Sequence, residues 1–219
     1  MNKFYKFFFL LFIFFPIFGC QETKNSSLSV NSKSYINDFE LLQENPNNQT
    51  SIKITSPKAI IDPTNNDIEI FESSIDLFNK NGLELKVKSG HATLNNLTSI
   101  IRVFNSVNIS FPNKQDYYIT TNSFDWNLNT SIIDINDSVL INFDNTMINA
   151  TNGFYNIDLS LLKIDNSEFN RYIYNSVGQE KYQVKIKSDF TKWFKKDNTL
   201  VFISNEKQVE TTINFLFTK

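Results

Sequence analysis

The sequence has few of the residues that build disulfides, metal sites and covalent active sites. Its 219 residues include one cysteine, Cys20, and one histidine, His91. One cysteine cannot form an intramolecular disulfide, and no CxxC or histidine-cluster metal site can be assembled. A Cys–His catalytic pair is formally possible, but Cys20 has another explanation, given below. We therefore expect no metal, no cofactor and no catalytic residue.

The sequence also lacks an excess of charge of one sign. Lys and Arg total 21 against 23 Asp and Glu, a formal net charge of −2, and no block of like charge occurs. Because a nucleic-acid-binding protein needs a basic stripe, we expect no nucleic-acid partner. Glycine and proline are scarce, at 5 each, so Asn, Ser and Thr supply most of the turn residues. The length and the 41% hydrophobic content suffice for one domain with a substantial core.

The N-terminus has the pattern of an export signal. Lys3 and Lys6 precede an apolar run that begins at Phe7 and is broken by Pro16. The run is shorter than the ~20 residues of a membrane-spanning helix. Its end, Ile17-Phe18-Gly19-Cys20, resembles a bacterial lipobox, which implies that Cys20 is lipidated; the alternatives are an ordinary signal peptide with a chance cysteine, or an uncleaved helix. We predict a signal peptide over 1–19 and a polar, lipidated tether over 20–34.

A repeat follows the tether. Segments of alternating apolar residues flank a small polar pair, as in IRVFNSVNISF (101–111), YITTNSFDWNL (118–128) and IDINDSVLINF (133–143). The pairs are Ser56-Pro57, Ser73-Ser74, Ser89-Gly90, Asn105-Ser106, Asn122-Ser123, Asp137-Ser138, Asn152-Gly153 and Asn166-Ser167. The period of two on either side indicates β-strands, and the polar pair predicts a bend in the middle of each strand.

Stacked bent strands predict an all-β fold. Short turns at Asn79–Gly82, Pro112–Lys114, Asn129–Ser131 and Asp144-Asn145 favour antiparallel neighbours. The expected architecture is a twisted two-sheet β-jelly roll of V-shaped antiparallel strands. It forms a single domain over 35–219, with a repeat core at about 52–170 and added strands in a C-terminal extension, 171–219.

The ordered repeat, the N-terminal anchor and the phrases YYITTNSFDWNLNTSIIDINDSVLI and INATNGF resemble the LptC family of the lipopolysaccharide export system and the related LptA/OstA-like domains. The resemblance covers roughly 35–170. It implies a non-enzymatic carrier that relays lipopolysaccharide from an inner-membrane ABC transporter across the periplasm toward the outer membrane. The implied partners are lipopolysaccharide, the transporter's membrane subunits and an LptA-like bridge protein. The implied location is the periplasmic side of the inner membrane, held by the lipid anchor, with the outer membrane as an alternative.

A carrier of this kind needs an apolar trough, because each CH₂ exposed to water costs ~0.8 kcal/mol. The residues expected to share the inner face and to bind lipid are Ile101, Val103, Val107, Ile109, Phe111, Phe124, Trp126, Leu128, Ile133, Ile135, Val139, Ile141 and Phe143. Taken singly, each of these residues fits a closed sandwich core better than a lipid contact, and the lipid-binding interpretation applies to the face as a whole.

Two other functions remain open at this stage. One is a structural or adhesive surface lipoprotein with a sealed core, for which the outer face shows few aromatic residues. The other is a glycan-active enzyme, for which no carboxylate pair is placed by a motif. We interpret His91 as a structural residue. The Lys192, Lys195 and Lys196 cluster around Trp193 fits a solvated turn with a packed aromatic better than a membrane contact, since a polybasic lipid patch has 4–8 cations.

Edge strands at the two ends of the stack predict pairing with a similar protein by β-augmentation. The expected edges are the strand near 52–61 and the C-terminal strands.

Overall fold

A computed structural model describes residues 33–45, 50–112, 117–175, 178, 180–205 and 208–215. The predicted signal peptide and nearly all of the predicted tether, including Cys20, lie outside the described residues and stay predictions.

The described chain is built from strands alone, and every strand pair is antiparallel. The strands are β1 (Ser34–Asn45), β2 (Thr50–Asp62), β3 (Asp67–Asn79), β4 (Gly82–Asn95), β5 (Ile100–Ser110), β6 (Tyr118–Asn127), β7 (Ile132–Ile135), β8 (Val139–Phe143), β9 (Thr146–Ala150), β10 (Asn152–Asn156), β11 (Leu161–Tyr174), β12 (Glu180–Phe194), β13 (Thr199–Ile203) and β14 (Glu210–Phe215). The all-β jelly roll predicted from the sequence is confirmed.

The strands form one 14-stranded sheet, and most neighbours in the sheet are neighbours in the chain. The path runs from β1 to β7, then through β10, β11 and β12 to β13. Beside it, β8 pairs with β6 and β9, β9 also pairs with β11, and β14 pairs with β12. Each long strand therefore contributes to two half-sheets that meet at a crease.

The crease lies where the regular pairing is interrupted. In the β4–β5 ladder Lys88 pairs with Asn108 and the next pair is His91 with Phe104, so the register shifts between them. The β5–β6 ladder shifts between Phe104 and Val107. A β-bulge of this kind bends a strand and increases its twist. The polar pair in IRVFNSVNISF is thus the place where the strand passes from one half-sheet to the other.

We call the two parts half-sheet A and half-sheet B. Half-sheet A contains β7, β10 and β13, the C-terminal half of β2 and the N-terminal half of β3. It also contains the halves of other strands that pair with these segments. Half-sheet B contains the opposite halves together with β8, β9 and β14. The margins of the half-sheets away from the crease face each other, and we call the line between them the mouth.

Backbone conformation at the crease explains the choice of residues. Asn105 and Ser106 have φ values of 66° and 59°, and Asn166 has a φ of 48°. Left-handed values are costly for β-branched residues, whereas the short polar side chain of Asn tolerates them. In β3 the left-handed residue is Glu72, with φ 51°, directly before the predicted Ser73-Ser74 pair.

Buried hydroxyl groups run along the inside of the crease. Ser73 and Ser89 share a hydrogen bond of 2.7 Å between their Oγ atoms. Ser167 Oγ lies 2.8 Å from Ser188 Oγ and 2.6 Å from Thr191 Oγ1. Because these hydroxyl groups hydrogen-bond to one another, each of them is buried with a partner.

Two of the predicted bent strands are in fact divided. Residues 133–143 form β7 and β8, separated at Asn136–Ser138, and the segment 148–159 is divided at Thr151 between β9 and β10. At these positions the backbone leaves the ladder completely, so the two halves belong to different half-sheets. Pairing of β6 with both β7 and β8 keeps them in one layer of the stack.

The predicted N-terminal edge was wrong. The edge strand is β1, and the strand near 52–61 is β2, which is paired on both sides by β1 and β3. Asp38, with φ 51°, interrupts the alternation of β1 between Ile36 and Phe39, which hid this strand in the sequence. At the other end β13 and β14 are the edge strands, and the extension joins the same sheet, as predicted.

Candidate functional site

The interior between the half-sheets is a continuous apolar core. All of the residues predicted to line the trough are buried, with between 0% and 7% of their surface exposed. The core also includes inner-face residues of other strands: Ile54, Ile70, Ile75, Leu85, Val87, Ile148, Leu162, Ile164 and Phe169. The same alternating pattern marks these residues in the sequence, although their segments follow the repeat less strictly. The structure therefore brings the predicted residues together on one interior surface.

A cavity of about 250 Å³ opens this interior at the mouth. Ile52 and Leu77 from half-sheet B face Trp126, Leu128 and Ile157 from half-sheet A across it. A polar rim surrounds the apolar walls and consists of Gln43, Glu44, Thr50, Asn129 and Ser131. A cavity with both apolar walls and a polar rim suits an amphiphilic ligand, which presents an apolar and a polar part. Trp126 and Leu128 are thus the predicted residues that reach this cavity.

Farther along the mouth an aromatic cluster joins the half-sheets. Trp193, at the end of β12 in half-sheet A, stacks on Phe143 of half-sheet B, with ring centroids 5.2 Å apart and an interplanar angle of 13°. Phe111 and Tyr117 contact Trp193 edge-on at 6.2 and 6.0 Å. Phe111 and Phe143 were predicted from the sequence. Trp193 was interpreted only as a packed aromatic, and it is indeed buried, at 2% exposure.

An ion pair lies beside this cluster. Lys195 Nζ in the β12–β13 turn is 3.4 Å from Glu84 Oε1 at the start of β4, and the two side chains are only 14% and 15% exposed. The same ammonium group lies 4.3 Å from the centroid of the Phe111 ring. Asn79 Nδ2 donates a 2.6 Å hydrogen bond to Glu84 Oε2. The sequence predicted that Lys195 lies in a solvated turn. In the structure its ammonium group is instead held at the mouth.

Two tyrosines at this end of the mouth have altered acidity. Burial raises the pKa of Tyr155 well above its usual range, and the nearby Glu84 adds to the effect. The pKa of Tyr117 is also raised, first by burial and then by Asp144, which accepts a 3.2 Å hydrogen bond from the Tyr117 hydroxyl. Both shifts favour the neutral phenol, so these rings, uncharged at neutral pH like any tyrosine, stay uncharged to higher pH than usual.

The outer faces carry the polar side chains that the repeat predicts. Arg102 forms a two-point pair with Asp125, with nitrogen–oxygen distances of 2.8 and 2.9 Å. Asp125 thus points away from the interior, although its neighbour Trp126 faces it. The side chain of Arg102 is 66% exposed, so this pair adds little to stability.

The prediction of few aromatic residues on the outer face was wrong. The half-buried His91 ring packs between Phe71 and Phe104, with ring centroids 4.6 Å from each, and Lys58 Nζ lies 5.4 Å from the Phe71 ring. Phe71 and Phe104 stand at outward positions just before the hinges of β3 and β5, and the alternation of inner-face residues does not mark such positions. His91 packs in this aromatic stack, in line with the structural role inferred from the sequence.

Within the described ranges, no group of three or more His, Cys, Asp or Glu side chains is arranged to hold a metal ion. The described residues also include no helix long and apolar enough to cross a membrane.

Comparison with known protein families decides the assignment. A family model described as lipopolysaccharide-assembly, LptC-related, matches residues 7–167. The chain belongs to the LptC family. Membership connects this protein with lipopolysaccharide transport and with the periplasmic part of that system. No curated protein matches the chain.

The LptC match ends within β11, so β12, β13 and β14 lie beyond it. These strands nevertheless continue the LptC-like sheet and contribute Trp193 and Lys195 to the mouth. Half-buried apolar residues border the core at both ends of the stack: Ile36, Leu41, Ile52 and Ile61 at the N-terminal end, and Val184, Ile186, Leu200 and Phe202 at the C-terminal end. The apolar interior of this LptC-family protein thus extends to the two terminal layers of strands.

Proposed function

We propose that this LptC-family protein is a non-enzymatic carrier that accepts lipopolysaccharide from an inner-membrane ABC transporter and relays it toward the outer membrane. The acyl chains are held between the half-sheets, where the residues predicted from the sequence dissolve them. The protein performs no chemistry on its cargo. Lipidation of Cys20 anchors it to the periplasmic side of the inner membrane.

The observation that carries the proposal is an apolar interior that runs the length of the stack and opens at the mouth beside Trp126. A cavity of about 250 Å³ is too small for a lipid with several acyl chains, since sites for drug-sized ligands already occupy ~300–1,000 Å³. Loading therefore requires the half-sheets to separate along the mouth. Insertion of chains then replaces contacts between the half-sheets by contacts of similar apolar character, so the loaded state does not expose the core to water.

Partner proteins are expected at the edges of the sheet. β1 is an edge of both half-sheets, and β13 and β14 are the opposite edges. Because the core reaches these terminal layers, a strand added there by an LptA-like bridge protein would extend the apolar interior from one protein into the next. The transporter's membrane subunits would use the other edge.

Photocrosslinking at Trp126 tests the carrier function. Trp126 is replaced by p-benzoylphenylalanine in the full-length protein, lipopolysaccharide is added, and the illuminated sample is examined for a protein–lipid adduct. We expect an adduct at this position, because the side chain at residue 126 lines the cavity at the mouth. The control is the same substitution at Asp125, which faces outward and should give none.

The adjacent positions separate the alternatives. No adduct at position 126 in a variant whose near-UV circular dichroism is native would favour a sealed core and a structural or adhesive lipoprotein. Equal adducts at 125 and 126 would indicate nonspecific association with lipid micelles and would likewise contradict the carrier.

A further inference from the structure

Side chains in and beside the β12–β13 turn of half-sheet A contact half-sheet B across the mouth. Trp193 stacks on Phe143, and Trp193 Nε1 donates a 3.3 Å hydrogen bond to Asn198 within the turn. Asn198 Nδ2 in turn lies 3.4 Å from the hydroxyl oxygen of Tyr117 on half-sheet B. Together with the Glu84–Lys195 pair, these contacts hold this part of the mouth closed.

The energetics of the Glu84–Lys195 ion pair allow Lys195 to exchange Glu84 for another anion. Two charges that are mostly removed from water gain little net stability from pairing, since desolvation offsets most of their attraction. Removal of one partner alone, however, would leave an uncompensated charge. Lys195 therefore needs an anion nearby but has no strong requirement that the anion be Glu84. Glu84 keeps the hydrogen bond from Asn79 when the lysine leaves.

The position of Lys195 indicates which anion can take the place of Glu84. The ammonium group lies over the Phe111 ring, and that ring packs roughly perpendicular to Tyr155 and Trp193 in the core, at centroid distances of 6.3 and 6.2 Å. An anion at Lys195 that carries an apolar chain would direct the chain along these rings into the interior. A phosphate group carries more charge than a carboxylate and forms stronger charge-assisted hydrogen bonds with an ammonium group.

We propose that the β12–β13 turn is a latch on the mouth, in which Lys195 exchanges Glu84 for the phosphate headgroup of an incoming lipid. The inference rests on the proposed carrier function and adds to it a headgroup site and a trigger for opening. Trp193 moves with the turn and leaves Phe143, which exposes the aromatic surface to the acyl chains. Trp193 and Lys195 both lie beyond the part of the chain that the LptC family model matches.

Binding of two amphiphiles with the same chain tests the headgroup site. Dodecyl phosphate and dodecyl maltoside are titrated below their micelle concentrations into the full-length protein, and their dissociation constants are compared. We expect the wild type to prefer dodecyl phosphate by about tenfold or more, the scale of one charge-assisted hydrogen bond. Lys195→Gln should abolish the preference, and Lys195→Arg should retain most of it.

Lys196→Gln is the matched control, because Lys196 is the exposed neighbour in the same turn. Equal losses in the Lys195→Gln and Lys196→Gln variants would show diffuse attraction of anions and would overturn the headgroup site. Binding of both amphiphiles without preference would also overturn it, although the carrier function would stand. Binding of neither amphiphile by the wild type would contradict the carrier function itself.

A distance measurement tests the latch separately. Nitroxide labels are attached to cysteines introduced at Asn145 in the β8–β9 turn and at Asp197 in the β12–β13 turn, with Cys20→Ser, and the distance between labels is measured by pulsed electron paramagnetic resonance. We expect dodecyl phosphate to lengthen the distance, and Lys195→Gln to lengthen or broaden it without ligand. An unchanged distance at saturating dodecyl phosphate would show that the turn is not a latch.

Discussion

At the scale of single residues, the interior is apolar because its few polar side chains are placed at the crease and at the mouth. Ser73 and Ser89 bond to each other at the crease, and Glu84 and Lys195 pair at the mouth. Tyr155, also at the mouth, differs from these pairs because burial raises the pKa of its phenol. The ionised form is disfavoured in the folded protein, so this residue couples stability to alkaline pH.

The Tyr155→Phe variant should lose part of the alkaline sensitivity of the wild type. Below about pH 10 the phenol is protonated in both the folded and the unfolded chain, and it contributes no pH dependence. Above that pH the unfolded chain releases the proton and the folded chain retains it, so the free energy of unfolding falls as pH rises. Melting temperatures measured from pH 8 to pH 11 should therefore decline less steeply in the variant.

Tyr35→Phe is the matched control, because the Tyr35 side chain is 68% exposed. A decline in the Tyr155→Phe variant as steep as in the wild type would contradict the proposed role of burial. Tyr117, whose pKa is also raised, contributes to the dependence that should remain in the variant.

Inner-face residues, including Trp126 and Phe143 at the mouth, could be predicted from the sequence, whereas the ion pair at the mouth could not. Ile101, Val103 and Val107 follow an alternation that any buried strand face imposes on its own sequence. Glu84 and Lys195 are 111 positions apart, and their contact depends on how the half-sheets close. No local pattern marks such a pair, and the lysine looked like one of several solvated cations in a turn.

At the scale of the strand, the hinge is a backbone feature with a matching residue type. Asn105 and Ser106 adopt left-handed conformations in the middle of β5, and the ladders to β4 and β6 shift there. These hinges could be predicted because Asn-Ser pairs interrupt a clear alternation. Glu72 in β3 and Asp38 in β1 also have left-handed φ values, but no sequence signal distinguishes them. Because Asp38 interrupts the alternation of β1, this strand could not be predicted.

Asn105→Val should destabilise the protein by about 1–2 kcal/mol, which is the cost of a left-handed conformation for a residue with a Cβ. The β-branched side chain of valine adds to the strain, whereas asparagine tolerates this conformation. Asn105→Gly should stay within a few tenths of the wild type or be more stable, since glycine adopts positive φ readily. Urea denaturation of the full-length protein measures both free energies of unfolding.

Asn108→Val on the same strand is the control for a change of side chain alone. Asn108 is exposed and is not among the residues with positive φ. The hinge interpretation predicts little effect there, or a slight gain from the strand preference of valine. Equal destabilisation at positions 105 and 108 would contradict it.

At the scale of the whole molecule, the open edges are the features that a partner protein can recognise. β1 exposes Leu42, and β14 exposes Ile213 and Phe215, at 57%, 52% and 63%. An edge strand with exposed apolar side chains is a template for strand addition, and a lysine there opposes it. The all-β class and the stacking order could be predicted from the repeat. The N-terminal edge could not, because β1 carries no clear strand pattern in the sequence.

Leu42→Lys and Ile213→Lys should each block pairing at one end of the stack. We expect one of these variants to lose association with an LptA-like bridge protein by tenfold or more, measured by co-purification and analytical ultracentrifugation. Leu97→Lys is the matched control, because Leu97 is 76% exposed but lies in the turn between β4 and β5. Full association of both edge variants would contradict edge pairing.

The order of strands in the sheet has an evolutionary consequence. Each hairpin of long strands supplies complete slices of the interior, because β1 to β6, β11 and β12 cross both half-sheets and most strands pair with a neighbour in the chain. A duplicated hairpin would lengthen the trough by about 10 Å, twice the spacing between strands, and would leave the other slices unchanged. Strands can therefore be gained at either terminus without redesign of the interior. The layers formed by β12, β13 and β14, which lie beyond the family match, are where such growth would be expected, and where a new function such as the latch could arise while the older slices keep theirs.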